Sequence, residues 1–514
     1  MNICFIRPSG IYKGLAISLL PTAPLGLAYV AGAVLNAGYN VKVIDAAVEG
    51  LEKVQPFKYE TFILGLSIED TILRIGEEID VISVSCMFTN NWLFERDLLI
   101  EIKKRFPNKI LIIGGEHASA VPELCFKQVQ SLDYVVLGEG EATMVELLNA
   151  IKDKKEINQL PSICYRNDFG DIVKNELKKP KRISQINKIS WPAWDLFPMD
   201  YYFQKKISYG VYKGNTLPIM ASRGCPYECT FCSSPQMWGR KYELRDVVDV
   251  VNEIEHWKDK YDIKNFDFFD LTAIIKKDWF IALCDEIISR GIKITYQIPA
   301  GTRSEAIDKE VAQKLMLSGC SNITYAPESG SKKILKDIKK KVDLSNMLQS
   351  IKWSNRMGMN IKLNIIIGFP DESHFDIFGT LFFLIKASWY GAHDMYPAIF
   401  SPYPGSSLFD RLEKEKKVNL ETDEYLLEII NSHDLWPGKI YNDKMSCLSL
   451  KIYSILSYFV FYGSNYLFRP YRIYKTIKNL LTGKHESRAE MIIDQTYRKL
   501  LAFKWKKKAS IVNN

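Results

Sequence analysis

The chain has 514 residues, 47% of them hydrophobic and 25% charged, with a formal net charge of +8. This balance excludes a disordered or collagen-like chain, and the length predicts two to four domains with large cores. Apart from one tight group, the ten cysteines are scattered. Asn2–Ile6 reads directly as a strand with no leader before it, so a reducing cytoplasm is expected.

Residues 1–150 alternate β-branched runs with helical stretches. Asn2–Arg7, Asn40–Ile44, Val81–Ser85, Ile110–Ile113 and Tyr134–Leu137 are predicted strands, and Leu25–Ala37 is a predicted helix ended by Gly38. Apolar strands separated by helices imply an α/β unit with a parallel sheet, whose ligands sit at the carboxyl ends of the strands. Those ends carry Pro8-Ser9-Gly10, Ser85-Cys86-Met87, Gly114-Gly115-Glu116-His117 and Gly138-Glu139-Gly140. No GxGxxG follows the first strand, which argues against a dinucleotide. Glycines at the tips let a large planar ligand approach the backbone closely.

Residues 151–212 predict a small hairpin around Cys164–Gly170 and then an irregular, linker-like stretch from Trp191. Residues 213–410 resume the strand–helix rhythm with about six βα units, which favours an open or closed barrel with its active face at the strand carboxyl ends. Asp270, Arg303 and Glu328 fall at such ends, as does Gly368. Asp270 and Arg303 are substrate-side candidates by that placement alone.

The first of these strands, Leu217–Ala221, leads into Cys225-Pro-Tyr-Glu-Cys229-Thr-Phe-Cys232. Three thiols so close together, with no fourth nearby, suit a metal centre that keeps one position open, and soft thiolates select iron–sulfur or zinc. A structural zinc site would close with a fourth ligand, and the next histidine, His256, lies well down a predicted helix. Zinc and ordinary free thiols are the alternatives to a four-iron, four-sulfur cluster.

Residues 411–514 read as a mainly helical cap. The Tyr- and Phe-rich stretch 448–468 carries Lys451 and several serines, so a buried helix, interfacial contact and a membrane span all compete for it. Arg469, Arg472, Lys475 and Lys478 follow and lend the interfacial reading electrostatic support. The basic end Lys504–Lys508 reads chiefly as a solvated tail, with anionic lipid or nucleic acid as the alternatives.

The cysteine spacing, with Phe231 just before the last thiol, together with Ser222-Arg223-Gly224 and Tyr242-Glu243-Leu244-Arg245, resembles the signature of the radical S-adenosylmethionine (radical SAM) superfamily. Gly114-Gly115-Glu116-His117 and Val136–Glu141 resemble N-terminal motifs of its cobalamin-binding class, the group of the anaerobic magnesium-protoporphyrin cyclase and the hopanoid C-methylases. The resemblance covers roughly residues 1–410. It implies a Rossmann-like cobalamin-binding domain (1–150), a hairpin and linker (151–212), a partial (β/α)6 radical SAM barrel (213–410) and a helical C-terminal region (411–514).

It further implies that Cys225, Cys229 and Cys232 ligate three irons of a [4Fe-4S] cluster, leaving the fourth iron for S-adenosylmethionine. Phe231 would pack beside the cluster, Glu328 would contact the ribose or amine of S-adenosylmethionine, and Gly368 would lie near its adenine. Ser85, Gly114, Gly115, His117 and Gly138 are the expected cobalamin contacts, with His117 a tail contact or a fold-stabilising donor. No histidine stands in the first loop, so the lower face of the cobalt is expected to be open or water-bound.

These cofactors imply an enzyme, with methyl transfer to an unactivated carbon through a 5′-deoxyadenosyl radical and methylcobalamin as the main expectation. Cyclisation or oxidation of a tetrapyrrole or other apolar substrate, methylthiolation and a non-catalytic sensor remain as alternatives. The aromatic residues around Tyr396 tilt the substrate toward a large apolar or lipid-like molecule. An electron donor such as flavodoxin or ferredoxin and peripheral membrane contact are expected, and nucleic acid is not.

Overall fold

The structure is a computed structural model that describes residues 1–13, 21–175, 186–432, 439–487 and 489–494. The basic end Lys504–Lys508 lies outside the described residues.

The first lobe comprises β1 (Asn2–Arg7), α1 (Leu25–Asn36), β2 (Asn40–Asp45), β3 (Val81–Ser85), α2 (Trp92–Arg105), β4 (Ile110–Gly114), β5 (Tyr134–Val136), α3 (Gly140–Asp153), β6 (Ile163–Arg166) and β7 (Ile172–Lys174). They form one seven-stranded sheet in the order β7-β6-β5-β4-β3-β1-β2. The strands from β1 to β5 pair in parallel, as fully buried runs such as Ile3–Ile6 require of a sheet covered on both faces.

The hairpin β6–β7, expected as a separate element, extends this sheet, with β6 pairing antiparallel to β5. The stretch after it is irregular but packed rather than linker-like. Trp194 is fully buried, Ala193 N donates to Ala28 O of α1 at 2.9 Å, and Tyr202 Oη donates to buried Asp45 at 2.5 Å. A chain that buries aromatics in this way is fixed by them.

The second lobe comprises β8 (Thr216–Ile219), α4 (Val247–Tyr261), β9 (Asn265–Phe268), α5 (Lys277–Ser289), β10 (Thr295–Thr302), α6 (Lys309–Leu317), β11 (Cys320–Glu328), α7 (Leu344–Arg356), β12 (Asn360–Ile367), α8 (His374–Tyr390) and β13 (Asp394–Ile399). Its six strands pair in parallel in chain order, an open barrel. Asp246, Asp308, Asp343 and Ser373 cap the helices that follow them, with side chains accepting from first-turn N–H groups. Strands β10 and β11 run longer than their apolar cores predict, and their pairings carry register shifts near the ends. Such bulges re-aim strand ends beside functional sites.

The C-terminal helices are α9 (Ser407–Lys414), α10 (Asp423–Ser432), α11 (Cys447–Phe468) and α12 (Tyr471–Thr482). Helix α11 lies along α8 and the edge strand β13. No helix among the described residues is long and apolar enough to cross a membrane.

Candidate active site

The cysteine loop is rooted at the end of β8. Asp270, just past β9, accepts from Ala221 N at 3.2 Å and from the Ser222 hydroxyl. Farther along, Thr230 N donates to Ile338 O at 3.0 Å, and Leu408 N donates to Thr230 O at 2.8 Å. Cys232 N closes a tight turn onto Cys229 O at 3.1 Å. With both sides pinned, Cys225, Cys229 and Cys232 line one cavity together with Phe231, Arg303, Glu328 and Lys340. Among the described residues, no fourth thiol and no imidazole lines it.

Burial pushes the Cys229 thiol up to about 11, against the pull of the Lys340 ammonium. Burial also raises Cys232, against its hydrogen bond to Ser234 Oγ at 3.2 Å. Glu328 ends β11 at φ 64°, a left-handed conformation that a non-glycine residue adopts at a cost. Its carboxylate accepts from half-buried Lys340 Nζ at 2.8 Å. Burial disfavours the Lys340 charge, but Glu328 and Cys229 outweigh it and hold its pKa above the ordinary value. The Arg303 guanidinium lies 4.1 Å from the Tyr227 ring centroid, donates to Glu305 at 3.0 Å and keeps a buried Nε without a partner.

The donor set therefore fits a cluster with one open corner. Three soft thiols face a space that also offers a carboxylate and an unsatisfied guanidinium N–H, complementary to the ammonium and carboxylate of an amino-acid ligand. Among the described residues, no three His, Cys, Asp or Glu side chains close to single-ion distances. Thiolates that hold separate irons need not stand so close.

A second cleft lies between the lobes. Ser85, Met87, Gly114, Gly115, Gly138 and Gly140 form one side, and Arg223, Gly224, Trp238 and Phe269 the other. Side chains are missing where a flat ligand would press. A Cβ on Gly26 would meet nothing within 4 Å, and one on Gly114 nothing nearer than Val136 O at 3.5 Å. Gly115 takes φ +122°, and a Cβ there would strike Cys86 O at 2.5 Å. A glycine floor under walls such as Val84, Ile113 and Met144 suits a large macrocycle. Leu271 lines both this cleft and the cysteine cavity, so the two adjoin.

Comparison with known proteins agrees with this geometry. Residues 15–148 match the model for the B12 binding domain and residues 219–384 that for the radical SAM superfamily. The chain is 30% identical to an uncharacterized methyltransferase of Pyrococcus horikoshii, over 75% of this chain and 78% of that protein. It is also 30% identical to cytidylyl-2-hydroxyethylphosphonate methyltransferase of Streptomyces wedmorensis, over 81% and 84%. The chain belongs to the cobalamin-binding radical SAM enzymes. Another relative is the anaerobic magnesium-protoporphyrin IX monomethyl ester cyclase of Rubrivivax gelatinosus, 24% identical over 87% of this chain and 76% of that one. The fold is shared with the radical SAM methyltransferase TsrM from Kitasatospora setae, at a TM-score of 0.63 and 15% identity over 80% and 76% of the two chains. As a member of this group, the chain is an enzyme that uses a [4Fe-4S] cluster, S-adenosylmethionine and cobalamin.

In this cobalamin-binding radical SAM enzyme the remaining candidates divide. Ser85, Gly114, Gly115 and Gly138 line the cleft, and Phe231, Glu328 and Arg303 line the cysteine cavity. His117 lines neither. It is buried, with Nδ1 3.1 Å from Thr89 Oγ1 and its ring against Trp92, and burial lowers its pKa to about 3, so it is a neutral core residue. Asp270 is also on neither wall, because its oxygens are committed to Ala221 and Ser222, and burial raises its pKa to about 6. Strand-end placement predicts which face of the barrel a residue serves, but not whether its atoms are free. Gly368 is covered by Leu450 of α11, which would lie 2.8 Å from a Cβ there. Tyr396 is half-exposed, with Lys362 Nζ 5.7 Å from its ring centroid, away from both cavities.

Three contacts that complete the site escaped sequence reading, although the motifs already include Arg223, Glu116 and Glu141. Buried Arg223 crosses the lobes to Glu141 of α3, and the Ser233 hydroxyl donates to Glu116. Lys340 sits in the run Lys339-Lys340-Lys341, which reads as a solvated stretch, so nothing local marks it. A prediction follows from the glycine floor. Gly115→Ala forces a strained φ and a clash with Cys86 O, and is expected to weaken cobalamin retention about tenfold, the equivalent of ~1.4 kcal/mol. The visible spectrum of the protein after gel filtration measures it.

Proposed function

We propose that the enzyme transfers a methyl group to an unactivated carbon of an apolar substrate. The observation that carries this reading is the adjacency of the glycine-floored cleft and the cysteine cavity at Leu271. When bound, the cluster supplies an electron to S-adenosylmethionine and cobalamin supplies a transferable methyl group. Cys225, Cys229 and Cys232 hold the cluster. Arg303 and Glu328 orient S-adenosylmethionine through its carboxylate and its ammonium or ribose. Lys340 holds Glu328 in its strained conformation and balances thiolate charge. Ser85, Gly114, Gly115 and Gly138 seat cobalamin, and the interlobe packing excludes water. The methyltransferase names of two relatives, at 30% identity each, support transfer over other radical outcomes.

The cyclase relative keeps ring closure or oxidation as a second reading. Methylthiolation is less favoured, because Cys4, Cys86 and Cys125 are fully buried in apolar core, where burial raises each thiol. The test is anaerobic reconstitution with S-adenosylmethionine deuterated at its methyl group, a flavodoxin reductant, and lipid and tetrapyrrole extracts. Methyl transfer yields 5′-deoxyadenosine and S-adenosylhomocysteine together with a deuterated product. Formation of 5′-deoxyadenosine with an oxidised or cyclised product and no label would overturn the proposal.

A further inference from the structure

We propose that α8 and α11 form a surface that seats the enzyme on an anionic lipid bilayer, and this inference does not depend on which group the enzyme transfers. Phe375, Phe378 and Phe382 on α8 and Ile452, Ile455 and Phe459 on α11 are all exposed, Phe375 by 84% and Phe459 by 72%. Their spacings of three, four and seven residues place each set on one helical face. The helices run side by side in the same direction. Phe378 meets Tyr453 near their starts, with ring centroids 6.0 Å apart, and Trp389 meets Phe468 near their ends, at 5.0 Å. The two exposed apolar stripes thus stand on neighbouring, parallel helices, an apolar surface of a kind that soluble monomers rarely expose.

Folding does not require this patch, because the opposite faces hold the helices in place. Leu450, Ser457, Phe461 and Asn465 of α11 are buried, and the Ser388 hydroxyl donates to Phe461 O at 3.1 Å. Arg469 donates to Ser388 O at 2.6 Å and Trp389 O at 2.8 Å.

Charge selects the partner. Across 374–390 and 447–482 the sole acidic residue is Asp376. It is buried and accepts from the hydroxyls of Ser331 and Ser373. Of the basic groups expected to face lipid, Arg472 is instead buried, donating to Ala392 O at 2.7 Å, and Lys475 pairs with Glu486 at 2.6 Å. Lys386, 4.4 Å from the Phe382 ring centroid, and exposed Lys478 remain. An apolar face with Lys386 at its edge, on helices that carry no exposed acid, is complementary to acyl chains beneath anionic headgroups. No helix among the described residues is long and apolar enough to span, so this surface is proposed to lie on the bilayer rather than to pass through it.

Full-length protein would be sedimented with phosphatidylcholine vesicles with and without phosphatidylglycerol, beside the double variant Phe375→Glu/Phe459→Glu and Lys386→Glu. Expected are binding to the anionic vesicles, at least about tenfold weaker binding by the double variant, and weaker, less salt-sensitive binding by Lys386→Glu, because the attraction that salt screens has been removed. Cobalamin content and reductive cleavage of S-adenosylmethionine serve as folding controls and should stay unchanged. Equal partitioning of wild type and double variant, or no sedimentation of either, would overturn the proposal. So would a dimer, seen by analytical ultracentrifugation without vesicles, that the double variant dissociates, because a second copy would then be the occupant.

Discussion

Cys229→Ala is expected to give a folded protein that carries no iron–sulfur chromophore and releases no detectable 5′-deoxyadenosine. The loop offers three thiols and its cavity adds no further thiol or imidazole, so a variant with two has no substitute ligand on the wall. The fold should tolerate the loss. Cys229 is half-buried, and its backbone carbonyl, which alanine retains, accepts from Cys232 N in the loop. A stability change within about 1 kcal/mol is the outcome for such a site. Cys284→Ala is the matched control. Cys284 is buried on α5 against Tyr296 Oη at 3.7 Å and does not line the cysteine cavity, so its loss should cost about 1–2 kcal/mol of packing while leaving iron content intact. Iron and sulfide assays, the visible spectrum and a thermal melt separate the two. A Cys229→Ala protein that kept its cluster and its cleavage activity would remove the trio from the site.

Much of this was legible because it is local. The thiol spacing, the glycines at strand tips and the alternation of apolar runs with helices each lie within one short segment, and short-range geometry fixes what they do. The six parallel strands and the sheet before them followed from that rhythm. The interactions that complete the site are long-range. Lys340 reaches Glu328 from within a lysine run, and Leu271 joins the cleft and the cavity only because two lobes meet there. Asp270 stands at the expected strand end, but its oxygens are taken up by Ala221 and Ser222 at another strand's exit, which its own segment does not reveal. The basic run after residue 468 read as lipid-facing, yet Arg472 turned inward to hydrogen-bond Ala392 O, because helix ends leave carbonyls that need donors.

The interlobe bridge should show the largest effect on stability. Arg223 is about 5% exposed, donates to both oxygens of Glu141, and lies 3.9 Å from Glu139. Its guanidinium also lies 5.6 Å from the Tyr29 ring centroid and 5.7 Å from that of Trp238. Burial disfavours its charge, but Glu141 outweighs that and keeps its pKa above the ordinary value. Arg223→Ala leaves two buried carboxylates without the cation that compensates them, which costs about 3–5 kcal/mol. Glu141→Ala should cost a similar amount, because Arg223 then stays buried with Glu139 as a distant partner.

The double variant Arg223→Met/Glu141→Met removes both charges and keeps the volume, so it should be far less damaging than the sum of the losses in the matching single variants Arg223→Met and Glu141→Met. A coupling of at least ~2 kcal/mol marks a direct pair. Thermal or urea unfolding supplies these numbers, and cobalamin retention supplies the functional readout, since the pair borders the cleft floor at Gly140 and Gly224. Additive losses would make the pair incidental. Strong coupling together with lost cobalamin in Arg223→Ala alone would show that the arginine two residues before the first thiol holds the two cofactor sites in register.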